Sequence, residues 1–127
     1  MNDSELERIV EAWVAGQDAV EGSPAYKNNW WAISKVINWA ILDNEPELLW
    51  RFILATYNRE LSDIARAVLA AGPLEDLLSR HGPDYIDLVE GLARKDARFN
   101  YLLGGVWRLD MTDEVWERIK AVRRETW

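Results

Sequence analysis

The sequence predicts an all-α protein, a single domain over residues 1–127 with seven or eight helices packed as antiparallel helical hairpins or an irregular bundle. Three observations carry this. Apolar residues recur at helical spacing along nearly the whole chain, beginning with Leu6, Ile9, Val10, Trp13 and Val14. No segment alternates apolar and polar residues between turns, so strands are not expected. Proline, glycine and small polar residues stand where helices should start and stop, and the short loops between them favour antiparallel neighbours.

Element by element, the first helix should span about residues 4 to 17, with Glu5, Glu7, Arg8 and Glu11 off its apolar stripe. Ser23 is a natural N-cap and Pro24 suits the first helical position of the second helix. There Trp30, Ile33, Val36, Ile37, Ala40 and Ile41 form the main apolar face, while Trp31, Trp39 and Leu42 point elsewhere. A helix apolar around most of its circumference is expected to be central. Pro46 starts a third helix, with Leu48, Leu49, Phe52 and Ile53 inward. A fourth begins near Leu61 and is stopped by Gly72-Pro73. A short helix from Pro73 to His81 buries Leu74, Leu77 and Leu78, and Gly82-Pro83 ends it and starts another with Ile86, Val89, Leu92 and Ala93 on one side. Asp96 caps a short helix bearing Phe99, Leu102 and Leu103. Gly104-Gly105 then marks backbone freedom or close approach. Thr112 caps the last helix, with Asp113 and Glu114 in its first turn and Arg123 and Arg124 in its last.

Composition narrows the function classes. The chain has no cysteine, which excludes disulfides and thiolate metal sites. Its net charge is −7: residues 1–63 hold eleven acids against five bases, and residues 64–127 eleven against ten. Most of the excess charge therefore lies in the amino-terminal half. That argues against direct nucleic-acid binding, which needs a basic face, and suits docking onto a basic partner. The first twenty residues lack the basic start and apolar run of a signal peptide. No run approaches the roughly 20 apolar residues of a membrane span. A cytoplasmic location is the expectation.

Catalytic, cofactor and metal sites are not expected. His81 is the only histidine, in "AAGPLEDLLSRHGPD". Acids Glu75 and Asp76 at the start of its helix, and Arg80 and His81 at the end, match the helix dipole without any reaction. The pairs Glu60/Asp63 and Glu114/Glu117 lack the Glu-x-x-His pattern of carboxylate-bridged metal sites. Gly104-Gly105 is followed by no lysine and is not a phosphate loop. The oddity is eight tryptophans in 127 residues. Trp31 with Asn28, Lys35, Asn38 and Trp39 makes one candidate binding patch, and Trp107 with Arg108 a second.

The motifs "EGSPAYKNNWW", "AAGPLEDLLSRHG", "DARFNYLLGGVW" and "DEVWERI" resemble a small bacterial all-helical family of unknown function, over roughly residues 6 to 120. The resemblance implies the helical fold and a bacterial origin, and brings no catalytic residues with it. The leading expectation is a non-enzymatic protein-binding inhibitor, such as a bacterial immunity protein. Its protein partner would be a toxin or nuclease with a basic surface. Glu5, Glu7, Glu11, Asp18 and Glu21 would face that surface, with Trp31 as an aromatic anchor and Lys35, Asn38 and Trp39 in the same partner-binding patch. Two alternatives stand beside it: a phage-type inhibitor that mimics nucleic acid, and a small-molecule-binding domain with a Trp-lined pocket.

Overall fold

The computed structural model describes residues 1–127. Its elements are α1 (Asp3–Asp18), α2 (Pro24–Ile41), α3 (Pro46–Tyr57), α4 (Asp63–Leu69), a π-helical turn (Ala70–Leu74), α5 (Glu75–Lys95), α6 (Ala97–Leu103) and α7 (Asp113–Val122). No strand forms. Because no loop separates α4, the π turn and α5, the chain makes six helical segments rather than seven or eight, the longest of them kinked at His81.

The starts follow the capping chemistry. Ser23, Ser62, Asp96 and Thr112 each accept a backbone N–H from the first turn of the helix they precede, as does Asn2 ahead of α1. The two Gly-Pro pairs behave differently from one another. Proline lacks the amide hydrogen, and its ring would strike the carbonyl four residues back in a regular helix. At Gly72-Pro73 the turn widens instead, so that the Glu75 N–H donates to Ala70 O, five residues back. At Gly82-Pro83 His81 leaves helical geometry (φ −133°, ψ 23°), and two helical stretches of α5 meet there at a kink, in keeping with the expected stop and start. A contact from the α2–α3 loop meets the bend. His81 Nε2 lies 2.6 Å from Asn44 Oδ1, and Asn44 holds φ 52°, a left-handed conformation that asparagine tolerates.

Packing is antiparallel at one end of the molecule and parallel at the other. Gly16 late in α1 lies against Asn29 and Ile33 of α2, while Met1 and Arg8 at the other end of α1 share a groove with Lys35, further along α2. α1 and α2 are therefore an antiparallel hairpin. Residues 107–122 run the other way about: Trp107 N–H donates to Glu75 (2.8 Å), Val115 abuts Gly82, and Arg118 pairs with Asp87 and Glu90. These contacts advance together along both segments, so α7 lies parallel to α5. The architecture is the irregular bundle, not an array of hairpins.

One aromatic seam joins the two ends. Trp13 meets Phe52 edge-on at 5.3 Å, Trp39 reaches the same ring at 6.5 Å, and Tyr57 and Trp50 close on Phe99 at 5.2 and 6.0 Å. Such edge-to-face pairs add to the area that each ring buries. α2 turns differently from the expectation. It buries Ala32, Ile33, Val36, Trp39 and Ala40, whereas Trp30, Trp31, Ile37 and Ile41 are each between 43% and 47% exposed. The physical reason is that α2 is an outer helix. Its covered stripe faces α1 and α3, with the π turn and α5 at its margin, and the additional apolar residues remain on its open side.

The segment after α7 folds back onto α6. Trp127 N–H donates to Gly104 O (3.0 Å), its indole Nε1 donates to Tyr101 O (2.8 Å), and its ring stacks on Tyr101 at 5.5 Å. A Cβ on Gly105 would lie 2.5 Å from that ring. Close approach is thus what Gly104-Gly105 provides, since neither residue has a positive φ. Arg123 leaves the last turn of α7, where the dipole would have held it. Its guanidinium lies 4.9 and 5.0 Å from the ring centres of Trp107 and Trp116 and donates to the carbonyls of Leu103 and Val106. In the expected Trp107-Arg108 patch, Trp107 is exposed, while Arg108 is turned to Met111 O and Asp113.

Candidate functional site

The nine predicted partner-binding residues divide into two groups. Glu5, Trp31 and Lys35 line one shallow groove of about 190 Å³ with Met1, Arg8 and Ile9, between the start of α1 and the middle of α2. Arg8 lies over the Trp31 indole, 6.0 Å from the ring centre, and Glu11 is exposed a turn further along α1. Glu5 also closes the first turn of α1, its amide donating to Asn2 and its carboxylate accepting from the Asn2 amide.

The other predicted residues do not join this groove as free groups. Glu7 is paired with Arg59, which carries it toward the α3–α4 loop. Asp18 accepts the Ser62 hydroxyl and ties the end of α1 to the start of α4. Glu21 is exposed in the α1–α2 turn. Trp39 is 5% exposed and belongs to the core against Phe52, so it cannot anchor a partner. Lys35 covers it, its ammonium 6.0 Å from the ring centre, and Asn38 is half-buried beside it. The misreading came from counting Trp39 off the stripe, although it lies three residues past Val36 and one before Ala40, both buried. Trp30, expected in the core, is exposed and rests on Tyr26 at 5.7 Å.

The titratable groups gathered in "AAGPLEDLLSRHGPD" separate in the fold. Glu75 accepts the Trp107 amide, Asp76 faces a pocket beside the π turn, and His81 meets Asn44. Burial pushes the carboxyls of Glu75 and Asp76 up. The Arg118 hydrogen bonds hold Glu90 below the ordinary carboxylate range, and the Tyr57 hydroxyl does the same for Asp96. These two pairs act on stability with opposite signs. A raised carboxyl favours the folded protein when protonated, so Glu75 and Asp76 destabilise at neutral pH and are relieved as pH falls through their raised values. A depressed carboxyl stabilises above its unfolded value, and that contribution is lost as pH falls through the folded one. The thermal midpoint should therefore rise as pH falls from neutral toward the ordinary carboxylate range, about 4, and fall once pH drops below it. Asp76→Asn should reduce the rise and Glu90→Gln the fall; a midpoint declining steadily from neutral pH, unchanged by either, would contradict this.

Residues 19–127 match the model of DUF6869, described as a family of unknown function. The chain belongs to this family. Within this DUF6869 chain the matched region runs from the α1–α2 turn onward. It includes Trp31 and Lys35, while Glu5, Glu7, Glu11 and Asp18 on α1 lie before it. α1 is nonetheless integral to the fold, since Leu6, Ile9, Val10 and Trp13 are buried. No curated protein and no solved structure matches the chain. No helix is long and apolar enough to cross a membrane.

Proposed function

We propose that this DUF6869 protein is a non-enzymatic inhibitor of the immunity type, which occludes a basic protein partner through the joint face of α1 and α2. The observation that carries the reading is the groove where Trp31, 45% exposed, lies beside Glu5 and Arg8, with Glu11 and Trp30 open on either side. A large ring held on a rigid helix loses little entropy on binding, and tryptophan is enriched among the residues that dominate interfaces. The flanking carboxylates would speed encounter with a basic surface. Arg8 and Lys35 interleave with these acids, and Arg59 neutralises Glu7. That interleaving favours docking led by the ring over imitation of a uniformly charged nucleic acid.

Affinity capture from the source cells, with wild type and Trp31→Ala side by side, tests the reading. Trp31 is half open to solvent, so the variant should keep its helical circular dichroism and thermal midpoint. The expected result is one basic protein retained by wild type, with binding weakened at least tenfold in the variant, about 1.4 kcal/mol. Added salt should slow its association. Recovery of wild type as a lone monomer, or a partner that the Trp31→Ala protein holds equally well, would refute the proposal.

A further inference from the structure

A second site lies away from the α1/α2 groove, on the side of the bundle where the π turn meets α1 and α2. A pocket of about 230 Å³ opens there, with Trp13, Val36, Ala40 and Val68 among its walls. Its lining includes the Gln17 amide and the Asp76 carboxylate, beside the Trp13 indole. Asp76 makes no hydrogen bond or ion pair with the rest of the chain, and only the more distant charge of Arg80 acts on it. Gly72 and Pro73 of the π turn form part of its wall. Wide turns of this kind are frequent at functional sites.

We propose that this pocket binds a small organic monocation with an apolar body, of the class of arylalkyl amines. An apolar cavity of about 150 Å³ accommodates benzene, so the larger space here suits a single ring with a short arm. A carboxylate standing alone in an apolar wall is an acceptor without a donor, and a charged ammonium supplies that donor with the opposite charge. Gln17 can accept a second N–H from the same group, which has three to give. A neutral ring would fill the walls and leave Asp76 as it is, whereas an anion would be repelled by it. The desolvation that raises the Asp76 carboxyl is the uncompensated cost that the ammonium would offset.

Three ligands of nearly one shape separate the contributions: benzylamine, benzyl alcohol and benzoate, titrated into the full chain and followed by amide chemical shifts. Benzylamine should bind at least tenfold more tightly than benzyl alcohol, and benzoate should not bind, with shifts centred on Ala40, Val68 and Gly72. Asp76→Asn should bring the amine and the alcohol to equal affinity without abolishing the alcohol. Gly72→Leu should block both. A Cβ on Gly72 meets nothing nearer than Val68 Cγ1 at 3.9 Å, so this variant has room to fold with its side chain in the pocket. Equal binding of amine and alcohol by wild type, an amine preference that survives in Asp76→Asn, or no shift at roughly millimolar benzylamine would each overturn the assignment. None of these outcomes bears on the Trp31 groove, so the two proposals fail separately.

Discussion

Replacing Asn100 by aspartate is expected to destabilise the fold by about 3–5 kcal/mol, a large share of the 5–15 kcal/mol that holds a domain of this size. Asn100 is 3% exposed, and its two ends do different work. The amide nitrogen donates to Ala93 O at 3.1 Å and to Val122 O at 3.0 Å, joining the ends of α5 and α7. The amide oxygen accepts from the Arg124 N–H at 3.0 Å. Aspartate has the same shape, so packing is preserved and only the chemistry changes. Both donors vanish, and a carboxylate is set against two carbonyl oxygens with no water to screen it. Urea unfolding at neutral pH should show the loss. Part of it should return on acidification, because a carboxyl buried without enough donors has a raised folded value and is protonated first in the folded protein. Asn100→Leu should cost less, about 2–4 kcal/mol, and show no such recovery. An Asn100→Asp midpoint within about 1 kcal/mol of wild type would mean that this hub does not hold the two helices.

The second large effect is a coupling. Gly105→Ala places a methyl group 2.5–2.8 Å from three atoms of the Trp127 ring, so the ring or the backbone must move, at about 1–3 kcal/mol. Trp127→Ala removes the stack on Tyr101 and the indole hydrogen bond, and should cost about 2 kcal/mol, since the ring is 38% exposed. In the double variant the methyl group has no ring to meet. Gly105→Ala should then cost under about 0.5 kcal/mol, and the four proteins should show an interaction energy of about 1–2 kcal/mol. Additive midpoints would show that Trp127 does not sit on the two glycines in solution. Gly104 differs, because its Cβ would meet the Glu125 backbone oxygen at 2.5 Å, which no side-chain deletion relieves.

The helical class was legible because each start carries its own chemistry within four residues, as at Ser23-Pro24, Asp96 and Thr112. The core of α5 was equally plain, since Leu77, Leu78, Ile86, Val89 and Ala93 recur at helical spacing. What escaped was set by neighbours distant in sequence. Trp39 faces inward because Phe52 lies opposite, and Trp30 faces outward because nothing covers that side of α2. The parallel course of α7 depends on which helix meets residues 107–122, and no local signal encodes that. The candidate site was half readable. Trp31, Lys35 and Glu5 stood in the sequence as exposed candidates and do share a groove, but the partners that occupy Glu7 and Asp18 lie 52 and 44 positions away. The Asp76 pocket had one sequence signal, the Gly-Pro pair, which a rule for helix ends read as a stop.

That pair has a geometric consequence for the whole rod from Asp63 to Lys95. Projected onward at 3.6 residues per turn, the buried line through Ala65 and Leu69 would pass near Asp76 and Arg80. The single residue absorbed by the wide turn advances the phase by about 100°, and the line falls instead on Leu77 and Leu78. The inserted position turns the apolar line and the kink at His81 then redirects the axis, so that the run begins on α1 and ends on α7. It also leaves Asp76 at the seam between the two settings, half-turned from the core that an uninterrupted helix would have forced it into.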